Sequence, residues 1–332
     1  MLIFFYNFIK KFQIINFNHK SMKTNKLLFF LITFVILSVS GFSQISRGSK
    51  DLIKQFMASE TYFVEDLTRN SYNNQVDKVL DSIWSITSAD IMTPEDFEKQ
   101  MNNKSFSFIY LSTNTFKEDT SKQTFLCMNV TVGSKAKKIS KLPDLGSFPI
   151  GYENIEEDEY LYKVGGLIRM VENHIKICEE NPNLKEEEML KEYNKDLKNV
   201  CTQEIWFLKE DLDEKVNTLD KIKILYPFPV KIATKEEIEN AIFTSNPNVL
   251  FLHKAGPEGR VIGKKCWKFL IDAATGEVKY LNISKIDKTN DNLFLLSDFK
   301  KLPKKLPTVK KPAKPKKVAT DEEPKGKKRT KK

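Results

Sequence analysis

Among the 332 residues the four cysteines, Cys127, Cys178, Cys201 and Cys266, have the widest chemical repertoire: disulfide formation, metal ligation and nucleophilic attack. No two are spaced Cys-x-x-Cys, so the usual dithiol redox site is absent. Cys178 and Cys201 fall at opposite ends of a stretch that reads as a helical hairpin, and antiparallel packing would bring them together. A bridge there would add about 3 kcal/mol by restricting the unfolded chain. Two buried free thiols on apolar faces fit the same spacing. Cys127 and Cys266 lie amid Phe125, Met128, Trp267 and Phe269, a setting of inert core thiols.

Histidine chemistry is nearly excluded. Only His174 and His253 lie beyond the N-terminal stretch, neither has a ligand-spaced partner, and both read as structural. The run Glu156-Glu157-Asp158-Glu159 lacks the alternating ligands of a calcium loop and reads as a surface turn. Gly165-Gly166 after Lys163 could receive an anion at a helix start, but ordinary helix entry explains the pair. The sequence therefore shows no catalytic constellation, no metal site and no cofactor motif.

The chemistry of the C-terminal stretch is plain. Lys304, Lys305, Lys310, Lys311, Lys314, Lys316, Lys317, Lys327, Lys328 and Arg329 are interleaved with five prolines and no aromatic residue. Such a composition cannot bury a core, so 301–332 is expected to be a disordered polycation. It could contact anionic lipid or an envelope polymer through salt-dependent charge pairing. Without aromatic side chains for base stacking, it gives no sign of sequence-specific nucleic-acid readout.

The formal net charge of +10 has to be divided before it is used. Residues 1–43 hold five lysines and no acid, and 301–332 hold 14 basic residues against three acids. Residues 44–300 then carry 35 basic and 41 acidic residues, a body of charge −6 that argues against a nucleic-acid surface. At the other end, Lys23 and Lys26 precede the apolar run Leu27–Leu37, and small residues end at Ser43. These are the parts of a signal peptide over 22–43, and the run is too short for a membrane-spanning helix. Residues 1–21 read as an upstream extension before Met22. The protein is expected to be exported, periplasmic or extracellular, and soluble after cleavage.

Positioning elements come from an internal repeat. A shift of 141 residues lays Ile91–Leu111 over Ile232–Leu252 with five identities. Thr93 and Thr234 fall at helix N-caps, Pro94 takes the first helical position, and Glu237 completes a capping box. Carrying the alignment forward places Thr124–Val132 over Gly263–Ile271, with Cys127 on Cys266. Pro227 and Pro229 mark an edge strand, and Asp272–Glu277 a hairpin turn. Between the copies, apolar residues at helical period over 164–219 predict two or three antiparallel helices, and another helix or two is expected over 50–84. The reading is an α+β, mixed α/β fold of two related strand-helix-strand-strand modules, about 85–150 and 224–300, with a helical insertion between them, all in one body over 44–300.

The export segment ending Ser40-Gly41-Phe42-Ser43-Gln44 resembles those of exported proteins from bacteria with an outer membrane, and the hairpin Asp272-Ala-Ala-Thr-Gly-Glu-Val278 is similar to one that recurs in them. The resemblance covers a small part of the chain and implies location without an activity. The functional expectation is a non-enzymatic binding or envelope-associated protein with a polybasic tether. Its rival is an exported enzyme built on carboxylates or on Cys127 or Cys266.

Overall fold

The computed structural model of the chain describes residues 45–116 and 121–307. The predicted signal peptide and all of the basic stretch beyond 307, from Lys310 to Arg329, lie outside them. The first module runs α1 (Lys50–Met57), β1 (Glu60–Val64), α2 (Asn70–Ile83), β2 (Ala89–Met92), α3 (Pro94–Gln100), β3 (Phe106–Thr115), β4 (Thr124–Val132) and β5 (Asp144–Tyr152). The helices α4 (Val164–Glu180) and α5 (Met189–Tyr193) follow. The second module is β6 (Glu204–Phe207), α6 (Leu219–Leu225), β7 (Val230–Ile232), α7 (Lys235–Phe243), β8 (Val249–Ala255), β9 (Lys265–Asp272) and β10 (Val278–Lys285), closed by α8 (Leu296–Lys301).

Each module builds a five-stranded mixed sheet, in the orders β2-β1-β3-β4-β5 and β10-β9-β8-β6-β7. The repeat is visible in the caps. Thr93 accepts from the Asp96 amide and Thr234 from the Glu237 amide, each at 3.2 Å, and Glu237 returns the bond to the Thr234 amide. It is also visible in the pairing. The cross-strand row Ala89–Thr61–Ser107–Val132 corresponds to Val230–Ile205–Leu250–Asp272.

This register corrects the forward alignment. With Val132 on Asp272, the offset between β4 and β9 is even rather than odd, so Cys127 and Cys266 fall on opposite faces of equivalent strands. It also shows what the predicted modules lacked. β1 and β6 are central parallel strands, where 50–84 and the third helical stretch, 205–219, were expected to be helical. Ile205 and Phe207 are buried alternately with Glu204 and Trp206, a period of two too short to stand out among helical residues. Of the insertion, only α4 is long.

A large core joins both modules: Phe56, Val79 and Ile83 of α1 and α2, Ile109 and Met128 of the first sheet, Leu167 and Val171 of α4, and Phe251 and Trp267 of the second sheet. A second core lies on the other face of the second sheet, under Ile222 and Phe299 of α6 and α8. A third, small one sits where Phe97 of α3 covers Phe108. Gly165 and Gly166 serve the first of these. A Cβ on Gly166 would stand 2.5 Å from Phe251 Cζ, and one on Gly165 the same distance from Ile83 Cδ1. The pair is there for close helix approach. Among the described residues no helix is long and apolar enough to cross a membrane.

Candidate functional site

Where the modules meet, a cleft of about 600 Å³ opens. Its first wall is the end of β5 and the turn leading into α4, which carries Glu156, Glu159 and Lys163. Its second wall is Glu210 and Asp211 after β6, Lys254 of β8, and Asp291 and Asn292 before α8. Each sheet ends its strands here, so loops from both modules converge, the usual location of a ligand site in α/β folds.

Lys163 is the unusual member. It is 4 % exposed, yet among the described residues its ammonium has no hydrogen bond or ion pair and rests only over the ring of Tyr162, 4.7 Å from its centroid. Burial pulls its pKa below the ordinary lysine value, and Asp211 and Glu159 only partly oppose this. Asn292, 7 % exposed, gives its amide to the Pro257 carbonyl, and its Oδ1 has no partner. Three of the cleft's carboxylates are engaged. Asp211 pairs with Lys254 at 3.1 Å, Asp291 with Arg260 at 2.9 Å, and Glu159 with Lys235 at 3.1 Å. Asp158 shares Lys235, and Glu157 accepts from the Tyr72 amide, so the acidic run expected to be a solvated turn holds α2 and α7 together.

Neither histidine is available for proton transfer near neutrality. His253 donates from Nε2 to the Pro149 carbonyl at 2.9 Å, and its Nδ1 is buried without a partner. Burial, with Lys163 nearby, pulls its pKa down to about 3. His174 donates from Nε2 to the Leu145 carbonyl, accepts from the Tyr193 hydroxyl, and is pulled down to about 4 by burial.

Of the two readings of Cys178 and Cys201, the structure has the buried free thiols. Cys178 and Cys201 are free and belong to different cores, because the segment between them is a short α5 and a 3-10 turn entering β6 rather than the return arm of a hairpin. Burial pushes the Cys178 thiol up to about 11 and raises Cys127, Cys201 and Cys266 as well, the opposite of what a nucleophilic thiol needs. Of the basic residues singled out, Lys304 and Lys305 are described. Lys304 donates to the Leu225 and Phe299 carbonyls, which fastens it to the ends of α6 and α8.

A second cavity, about 530 Å³, lies on the α3 side of the first sheet. Its amides and hydroxyls bond one another: Asn114 to Asn129 and Ser147, and Asn129 to Ser112. Among the described residues none of its lining side chains has a buried polar atom without a partner, whereas the cleft has Asn292 Oδ1. Among the described residues no cluster of His, Cys, Asp and Glu is placed to hold a metal ion. Sequence reading missed Lys163 as a site residue because its signal is burial without a partner, which no spacing encodes. No protein-family model, curated protein or solved structure matches the chain.

Proposed function

We propose that this is an exported, non-enzymatic binding protein of the cell envelope that holds its ligand in the cleft between the two modules and contacts anionic surfaces through its basic C-terminal stretch. The buried, unpaired ammonium of Lys163 on the cleft wall carries the reading of the cleft. Burial of most of that side chain disfavours its charged form, and without an ion pair the fold recovers little of that cost. Replacing it should therefore stabilise the empty protein. Lys163→Met is expected to raise the urea midpoint, and a lower midpoint would make Lys163 structural and refute the reading.

Export is supported by the Lys23–Ser43 pattern, and the surface contact by the Lys/Pro-rich composition. The contact is tested by cosedimenting the protein, with and without 308–332, on anionic and neutral vesicles. Binding by the longer form alone, to anionic vesicles and at low salt, is the expected result. Equal binding by both forms, or none, refutes the tether.

A further inference from the structure

The charges of the cleft do not balance, and the imbalance describes a ligand; this step rests on the reading of the cleft as a binding site. On the wall, the Lys163 ammonium lacks a counter-ion. At the mouth, Glu156, Glu210 and Glu258 are exposed carboxylates with no ion pair among the described residues. A simple anion would have to pass these three to reach Lys163. A simple cation would satisfy the mouth and leave Lys163 buried and uncompensated, at a desolvation cost that persists. The volume, about 600 Å³, is far beyond what an inorganic ion fills and is in the range of sites for small organic ligands.

We infer that the cleft receives a basic amino acid or short basic peptide, whose carboxylate meets Lys163 while its ammonium groups meet the carboxylates of the mouth. Both kinds of wall are then satisfied at once, which a singly charged ligand cannot do. The groups facing Lys163 in the empty protein are Asp211, Glu159, Lys235, Glu210 and His253. An arriving carboxylate adds a negative charge to that set and favours the charged form of the lysine.

The test is calorimetric titration of the purified protein with lysyl-lysine, with 1,5-diaminopentane, which lacks the carboxylate, and with glutarate, which lacks the ammonium groups. Lysyl-lysine should bind at least tenfold more tightly than either. Lys163→Gln should weaken lysyl-lysine at least tenfold and leave diaminopentane unchanged. Glu210→Gln, at an exposed position where folding is not at risk, should weaken both amines. Diaminopentane binding as tightly as lysyl-lysine, or glutarate binding best, overturns the ligand class and keeps the cleft as a site. No binding by any probe, with Lys163→Met still stabilising, overturns the class alone. If Lys163→Met also destabilises, the site reading falls with it.

Discussion

Lowering the pH from 7 to 4 should cost this fold most of its stability through two residues. His253 and His174 are fully buried and neutral, with pKa values pulled from 6.5 to about 3 and about 4. As the pH falls below 6.5, the unfolded chain takes up protons at both imidazoles and the folded chain does not. The stability these neutral rings contribute is thus complete above pH 6.5 and drains away between there and the folded values. At about 1.4 kcal/mol per pH unit, each has cost roughly 3 kcal/mol by pH 4, about 6 kcal/mol together. That is comparable with the whole stability of an ordinary domain. Asp298, held below the ordinary carboxylate value by Lys268 against the upward push of burial, adds its own loss only below this window. The assay is urea unfolding at pH 7, 6, 5 and 4, followed by the fluorescence of Trp84, Trp206 and Trp267. His253→Gln keeps an N–H for the Pro149 carbonyl and removes the titration. It should cut the loss between pH 7 and pH 4 by about 3 kcal/mol, and His253→Gln with His174→Gln should nearly flatten the profile. Variants that keep the wild-type slope would refute the argument.

Two further outcomes follow from the packing. Lys268 and Asp298 form a 2.8 Å ion pair, each 1 % exposed, and Asp298 also accepts from Tyr280 and Asn282. Lys268→Met should therefore cost about 3–5 kcal/mol in urea unfolding by stranding the carboxylate, and adding Asp298→Asn should recover a large part. Gly166→Ala should lower stability by about 1–3 kcal/mol, since its methyl meets the Phe251 ring and the contact joins the modules. Equal stability of that variant and the wild type would mean that α4 does not sit on the second sheet as described.

What the sequence could and could not reveal follows from the range over which each signal acts. Thr93, Pro94, Thr234 and Glu237 specify helix starts through bonds three residues long, and both helices begin where these residues place them. The β9–β10 hairpin is local in the same sense. Gly276, at φ +70°, makes its turn and packs against the Arg169 backbone, while the Arg169 guanidinium donates to the Ala273 carbonyl at 2.7 Å. β1 and β6 were hidden because a central parallel strand of four or five residues is too short for its alternating burial to stand out and draws its partners from 25 to 46 residues away. The cleft was hidden for the same reason. Lys163, Asp211 and Asn292 come together only when two modules have folded and met.

The two sheets treat the same face differently. The row Asp90–Tyr62–Phe108–Thr131 in the first sheet corresponds to Lys231–Trp206–Phe251–Ile271 in the second, and Tyr110–Asn129 to His253–Phe269. In the second sheet this face is apolar and covered from the first module: Gly166 brings α4 onto Phe251, and the Pro149 carbonyl of β5 accepts from His253. In the first sheet the same face beyond α3 carries Asn114, Asn129 and Ser147, which bond one another and tolerate water. The asymmetry has a chemical consequence. One seam exists, the cleft lies along it, and every charge that shapes it belongs to a module that could not form the site alone.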